Sequence, residues 1–253
     1  MDRGIWATWY DLPDDMSADG RDEYLDWLHS DYLPALQGKP GLNWVAHYEN
    51  QGGGADMQKV RDTFPKSEGM EDVGSGTQFL MLAGAAEPWT LLAPTSVIDD
   101  QNALTGEARK MLDLRQGARP CIFSTFARID GPEMGLRPAG TTPGPAIQMG
   151  SFRTKTLADE FDVGQWYAQY RLPAMARMPG CIAARVMVSL AGWAKYSVMY
   201  EFTSLQARLE NFEEPHEALA LDENEWTGRV IRYTMHTPGS PTVGQRIWPP
   251  VTE

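Results

Sequence analysis

Alternating apolar and polar positions mark short strands along this chain, and stretches of helical period separate them. Residues 5–10, 42–48, 78–83 and 121–129 read as strands. Residues 17–36 read as a helix, with Tyr24, Leu28, Asp31 and Tyr32 at helical spacing and Trp27 on the flank. Pro34 marks its last turn, and Lys39-Pro40-Gly41 stops it. A second helical stretch covers 102–116, with Leu104, Ala108, Met111, Leu112 and Arg115 in its pattern. Beyond a stretch rich in glycine and proline, the same order returns. Strands are expected at 146–153, 181–189, 196–202 and 230–236, and helices at 159–176 and 205–221.

The return is written in identities as well as in pattern. Trp27, Leu33-Pro34-Ala35 and Pro40-Gly41 recur as Trp166, Leu172-Pro173-Ala174 and Pro179-Gly180, each 139 residues later. A repeat this long is a duplicated half rather than a solenoid unit. A strand-helix-strand-strand-helix-strand order is the ferredoxin-like split unit, whose helices cover one face of a four-stranded sheet. The other face needs a partner. The expected fold is therefore α+β: two fused ferredoxin-like halves that build, within one chain, the two-fold barrel that a single copy would build as a homodimer. The first half is placed at 1–130, a linker at 131–145, the second half at 146–239, and an irregular tail at 240–253. Any ligand cavity is expected between the two sheets.

At 253 residues the chain is long enough to bury a large core. A net charge of −12 argues against nucleic acid or an anionic membrane as partner, since phosphate binding needs clustered Lys and Arg. No apolar run approaches the roughly 20 residues of a membrane span. Met1-Asp2-Arg3-Gly4-Ile5-Trp6 lacks the apolar region of a secretory signal, so a cytoplasmic location is the simplest expectation. Cys121 and Cys181, both in apolar strands, read as buried free thiols. Nine Trp and thirteen Met suit an apolar cavity for a flat ligand.

The stretch Trp27–His29–Asp31–Tyr32–Leu33-Pro34, followed by Pro40-Gly41 and a strand, resembles the helix ending of EthD-like domains in the dimeric α/β-barrel superfamily, which also holds stress-responsive members. The second copy, Trp166-Tyr167-Ala168-Gln169-Tyr170-Arg171-Leu172-Pro173, keeps the frame without the histidine. The resemblance covers nearly the whole chain as two copies. It implies the barrel, and a spread of activities: cofactor-free oxygenases, isomerases, decarboxylases, dehydratases and haem enzymes. Fold alone does not select among them.

With four histidines, each can be weighed. Strand alternation puts Asn43, Val45 and His47 on one face of their strand. Packing of the more apolar opposite face on helices would aim Asn43 and His47 into the barrel. His47 is the favoured general base, because imidazole titrates near neutral pH. His29, beside Asp26 and Asp31, would carry protons at the barrel mouth. His236 is expected to end the last strand where Arg128 ends its counterpart, as a pair at the cavity edge. His216 reads as helix surface. Arg185, in an otherwise apolar strand, needs a carboxylate or a ligand anion. Arg185 or Tyr170 would stabilise an oxyanion. Tyr10, Tyr48, Tyr167 and Tyr233 could donate phenol hydrogen bonds, and Trp27 and Trp166 would hold rings.

No dinucleotide fingerprint, phosphate loop, Gly-x-Ser-x-Gly elbow or zinc motif is present. The expectation is an enzyme without cofactor or metal, a lyase, dehydratase, decarboxylase or isomerase working by proton transfer on a hydrophobic, aromatic small molecule. A haem-dependent or cofactor-free oxidoreductase and a non-catalytic binding or stress-related module are the alternatives. The sheet edges leave a homodimer open.

Overall fold

A computed structural model describes residues 2–65, 68–93 and 103–251. Eight antiparallel strands close into one barrel. In the first half β1 (Gly4–Asp11), β2 (Leu42–Asn50), β3 (Phe79–Ala85) and β4 (Gln116–Asp130) line up as β4-β1-β3-β2. In the second, β5 (Ala146–Arg153), β6 (Cys181–Ala191), β7 (Tyr196–Phe202) and β9 (Thr242–Trp248) line up as β9-β5-β7-β6. Both are the ferredoxin-like order. The halves join twice, β4 against β6 and β2 against β9, so the two seams are equivalent and no edge is left on the barrel.

The 139-residue offset holds in three dimensions. The first helices run Ala18–Trp27 and Leu157–Trp166. Each passes into a π-helical turn, Leu28–Tyr32 and Tyr167–Arg171, and then into a short helix beginning Leu-Pro. The proline explains the wide turn. Its ring clashes with the carbonyl four residues back and it has no N–H to give, so the regular ladder cannot pass through it. The following Pro-Gly turns put Gly41 and Gly180 at φ of 91° and 77°, a region open to glycine, before β2 and β6 begin.

Several expected elements are corrected. Residues 230–236 are not the fourth strand of the second half. Trp226–Tyr233 is a helix, with Trp226, Val230 and Tyr233 on its packed side, and only Met235–His236 is extended, as the short β8 on the edge of β5. The fourth strand is β9, inside the tail read as irregular. His236 is therefore not the counterpart of Arg128. The predicted helices also begin and end differently: Gly106–Asp113 replaces 102–116, whose first residue lies outside the described residues, and 205–221 is α-helical only over Leu205–Arg208 before a π-helical stretch, Leu209–Glu217.

The barrel interior is solid. Ile5, Ala7, Trp9, Trp44, Tyr48, Leu82, Phe123, Ile147, Met149, Met187 and Met199 fill it from both halves. A Cβ on Gly84 would collide with the Trp44 indole. Among the described residues the space expected to be a cavity between the sheets is filled, and Trp9, Trp44, Met149, Met187 and Met199 are core there. The other face of each sheet packs on its own helices, in two further clusters. Open space lies in those outer layers. Cys121 and Cys181 are free and buried, and burial pushes their thiols up to about 11 and about 12. Among the described residues no helix is long and apolar enough to cross a membrane.

Candidate functional site

The first half holds a chain of titratable side chains between its sheet and its first helix. Trp44, Ala46 and Tyr48 point into the barrel, so alternation turns Val45 and His47 toward the helix, the reverse of the expected orientation. There His47 Nε2 is 2.8 Å from the Tyr10 hydroxyl on β1, and His47 Nδ1 is 2.9 Å from His29 Nε2 on the π-helical turn. Tyr10 and His47 are fully buried; His29 is half-buried and reaches solvent. Phe79 on β3 stacks against both inner rings.

At its other end the chain meets two more polar side chains. The Tyr10 ring stands edge-on to Tyr24, centres 6.2 Å apart, and the Tyr24 oxygen accepts from Arg115 Nε at 2.7 Å. The Arg115 guanidinium lies 4.2 Å from the centre of the Tyr10 ring, and no carboxylate pairs with it among the described residues. Arg115 lines a pocket of about 300 Å³ with Thr8, Leu112, Ala118 and Pro120, rimmed by the Arg109–Asp113 ion pair. The Thr8 hydroxyl in this pocket is buried and has no hydrogen-bond partner among the described residues. A hydrogen-bonded chain of three side chains, Tyr10, His47 and His29, thus runs to the surface, and the Arg115–Tyr24 pair packs on its inner end beside the pocket.

Burial sets the charge state of this path. It holds the Tyr10 phenol well above its usual range, and holds His47 well below the usual imidazole range, helped by the charges of His29 and Arg115. His29 is lowered more mildly by burial, against the pull of Asp26. At neutral pH the three inner groups are uncharged. A neutral phenol and two neutral imidazoles each donate one proton and accept one, so the chain is satisfied in either direction. Reversing every donor carries a proton from one end to the other without leaving a charge in the core.

The second half has no such path. The 139-residue offset places Val163, Ala168, Leu172 and Val186 where Tyr24, His29, Leu33 and His47 stand. The ladders place Phe152 and Tyr196 where Tyr10 and Phe79 stand. All six line an apolar pocket of about 250 Å³. Beside it a compartment of about 70 Å³ is lined by Gln148, Trp166, Arg171, Tyr200, Glu217 and His236 among others. Phe152 and Tyr167 line both and divide them. His236, pushed down to about 4 by burial, is stacked 3.9 Å from Phe64, with Nδ1 at the Thr234 carbonyl. Among the described residues no group of three or more His, Cys, Asp and Glu could hold a metal ion.

Of the residues singled out in the sequence, the fold brings together His47, His29 and Tyr10, with Trp27 packed beside them on Tyr24 and Tyr32. Trp166 and Tyr167 meet in the second cleft, with Tyr170 against Trp166. The others are scattered. Arg185 is inside the barrel end, paired with Asp2 and Glu201 at 3.1 Å each. Tyr48, also interior, donates to the Gly144 carbonyl. Asn43 is exposed at the start of β2, Tyr233 donates to Asp162, and Arg128 pairs with Asp130 on a groove shared with Arg3 and Phe126. Sequence reasoning missed Arg115, Tyr24 and Thr8. Arg115 and Tyr24 were visible only as helix-pattern residues, and nothing in the spacing announced that they meet.

No family model matches the chain, and no curated protein sequence does either. Solved structures do. A candidate chlorite dismutase aligns over 98% of this chain and 96% of its own at 11% identity, with a TM-score of 0.55. A candidate monooxygenase from Fusobacterium nucleatum subsp. nucleatum aligns over 97% and 93% at 7% identity, TM-score 0.54. A dye-decolorizing protein from V. cholerae aligns over 97% and 93% at 10% identity, TM-score 0.51. At these identities the likeness is one of fold, and the fold is the dimeric α+β barrel, closed here within a single chain.

Proposed function

We propose that this protein is an enzyme that moves a proton to or from a small, hydrophobic, oxygen-bearing molecule seated at Arg115. The class is lyase-type chemistry without a cofactor: elimination, dehydration, decarboxylation or isomerisation. The observation that carries this reading is the Tyr10–His47–His29 chain, present in one half only, with the Arg115 guanidinium 4.2 Å from the Tyr10 ring centre and without a carboxylate partner among the described residues. Arg115 would hold a developing oxyanion, and Leu112, Ala118 and Pro120 the apolar body. Thr8 would supply a buried hydroxyl that lacks a partner among the described residues. His47, held neutral by burial, serves in this scheme as a relay rather than as a strong base, and His29 exchanges the proton with water.

The test is proton exchange itself. The wild-type protein is incubated in deuterium oxide with a panel of aryl ketones and hydroxylated aromatic acids, and deuterium uptake at carbon is read by mass spectrometry. Catalysed uptake that falls about a hundredfold or more in Tyr10→Phe and His47→Ala is the expected result. Equal uptake in wild type, His47→Ala and His29→Ala overturns the reading. Incorporation of oxygen from dioxygen instead would place the protein among cofactor-free oxidoreductases.

A further inference from the structure

Arg171 is the anomaly of the second half. It is 3% exposed, yet its Nε and Nη1 are buried without any hydrogen-bond partner, and no ion pair forms with it among the described residues. Its guanidinium is held between the rings of Trp166, 4.7 Å away, and Phe212, 4.9 Å away. A buried cation with unused donors is costly unless something fills them. The rings offer these donors no acceptor oxygen, so Nε and Nη1 remain for a ligand. The edge that carries them lies in the wall of the small compartment, which adjoins the apolar pocket across Phe152 and Tyr167.

Neighbouring charges favour one more anion. Arg208 donates to Gln148 and Glu213, and Gln148 donates to Glu217, which lines the same compartment. Arg61 interacts with this group at longer range. Three guanidinium groups thus face two carboxylates: Arg208 pairs with Glu213, Arg61 donates to the Gly52 and Pro241 carbonyls, and Arg171 has no carboxylate partner among the described residues. On the other side, Val163, Ala168, Leu172, Val186 and Tyr196 form an apolar chamber, and largely exposed Phe126 stands at its rim.

We propose that this cleft binds a hydrophobic monocarboxylic acid, its carboxylate on Arg171 and its apolar body past Phe152 and Tyr167 in the chamber lined by Ala168 and Val186. The site is separate from the Arg115 pocket and does not depend on the reading proposed for it. A carboxylate matches the guanidinium edge, and its single charge completes the balance. The size of the chamber suits a chain or a ring, and the small compartment suits only a headgroup.

Calorimetric titration of the intact protein with octanoate and with octanol at pH 7 tests this without any variant. Octanoate should bind about tenfold or more tightly than octanol, the value of charge-assisted hydrogen bonds to a desolvated guanidinium. Arg171→Met should reduce octanoate to the octanol level, and Arg171→Lys should restore part of the difference. Ala168→Phe, at an exposed position at the chamber mouth, should weaken both ligands, while His47→Ala should leave octanoate binding unchanged. Equal affinity for the two ligands, no octanoate binding by folded wild-type protein, or full octanoate binding by Arg171→Met would each overturn the proposal.

Discussion

His47 and Val186 occupy one and the same place in the two halves of the barrel, 139 residues apart, each facing the first helix of its half. Around His47 the neighbours are Tyr10, His29 and Phe79; around Val186 they are Phe152, Ala168 and Tyr196. The same frame therefore holds a polar path on one side and an apolar chamber on the other. The two ring positions, Tyr10 and Phe152, differ by a single hydroxyl.

That pairing predicts a coupling energy. His47→Val alone removes a partner from the Tyr10 hydroxyl and from His29, and Tyr10→Phe alone leaves His47 Nε2 unpaired in the core. The double variant recreates the Phe152–Val186 pair. It should be more stable than the sum of the single losses by about 0.5–3 kcal/mol, as measured by urea unfolding. Strict additivity would mean that the path contributes nothing as a unit.

Acid should act through His236. Its neutral form is favoured by burial, with the folded value near 4 against an unfolded value of about 6.5. Between these values the unfolded chain binds a proton that the folded protein does not, so stability rises with pH there. The contribution is complete above about pH 6.5 and is lost as pH falls toward 4. His236→Asn, which keeps a donor for the Thr234 carbonyl, should flatten this slope by up to one proton in denaturant titrations at pH 7, 6, 5 and 4. His47, lowered in the same direction, leaves part of the slope in place.

Arg185 should prove structural. It is buried with Asp2 and Glu201, and the Trp44 indole also donates to Asp2. Arg185→Met leaves two buried carboxylates facing each other and should cost about 3–5 kcal/mol. Replacing Asp2 with Asn and Glu201 with Gln in that background should recover a large part of it. Catalysed deuterium exchange per folded molecule should not change.

Ending the chain after Gly239 removes β9. The strand pairs with both β2 and β5, and Thr242 accepts from the Trp9 indole inside the barrel. Its loss exposes two strand edges and the end of the interior. The truncated protein should form soluble aggregates in size-exclusion chromatography, because bare edges recruit other strands. A monomer with native circular dichroism would contradict this role for the tail.

The duplication and the strand order were legible because Pro-Gly turns, tryptophans and Leu-Pro breaks are local signals, and all lie at one offset. The orientation of β2 was not. Alternation assigns faces when one side is wet, and here Trp44, Ala46 and Tyr48 fill the barrel while Val45 and His47 are covered by helix, so both sides are dry. The last strand was misread for a related reason. Val230 to Tyr233 is the final turn of a helix, and seven residues starting there fit either period. The pairing of His29 with His47 spans a helix and a strand 18 residues apart, and Arg115 meets Tyr24 across 91. Such meetings depend on the closed sheet rather than on any local pattern.

The filled barrel has a consequence for how the chain folds. Its interior draws Trp9, Trp44 and Phe123 from one half and Ile147, Met187 and Met199 from the other into a single cluster. Neither half can keep that surface dry alone, so the repeats are not independent cooperative units. Unfolding should proceed as one transition, with heat or denaturant releasing both sheets together, and hydrogen exchange should report one shared free energy for amides deep in β1 and β6. What looks in the chain like two copies behaves thermodynamically as one.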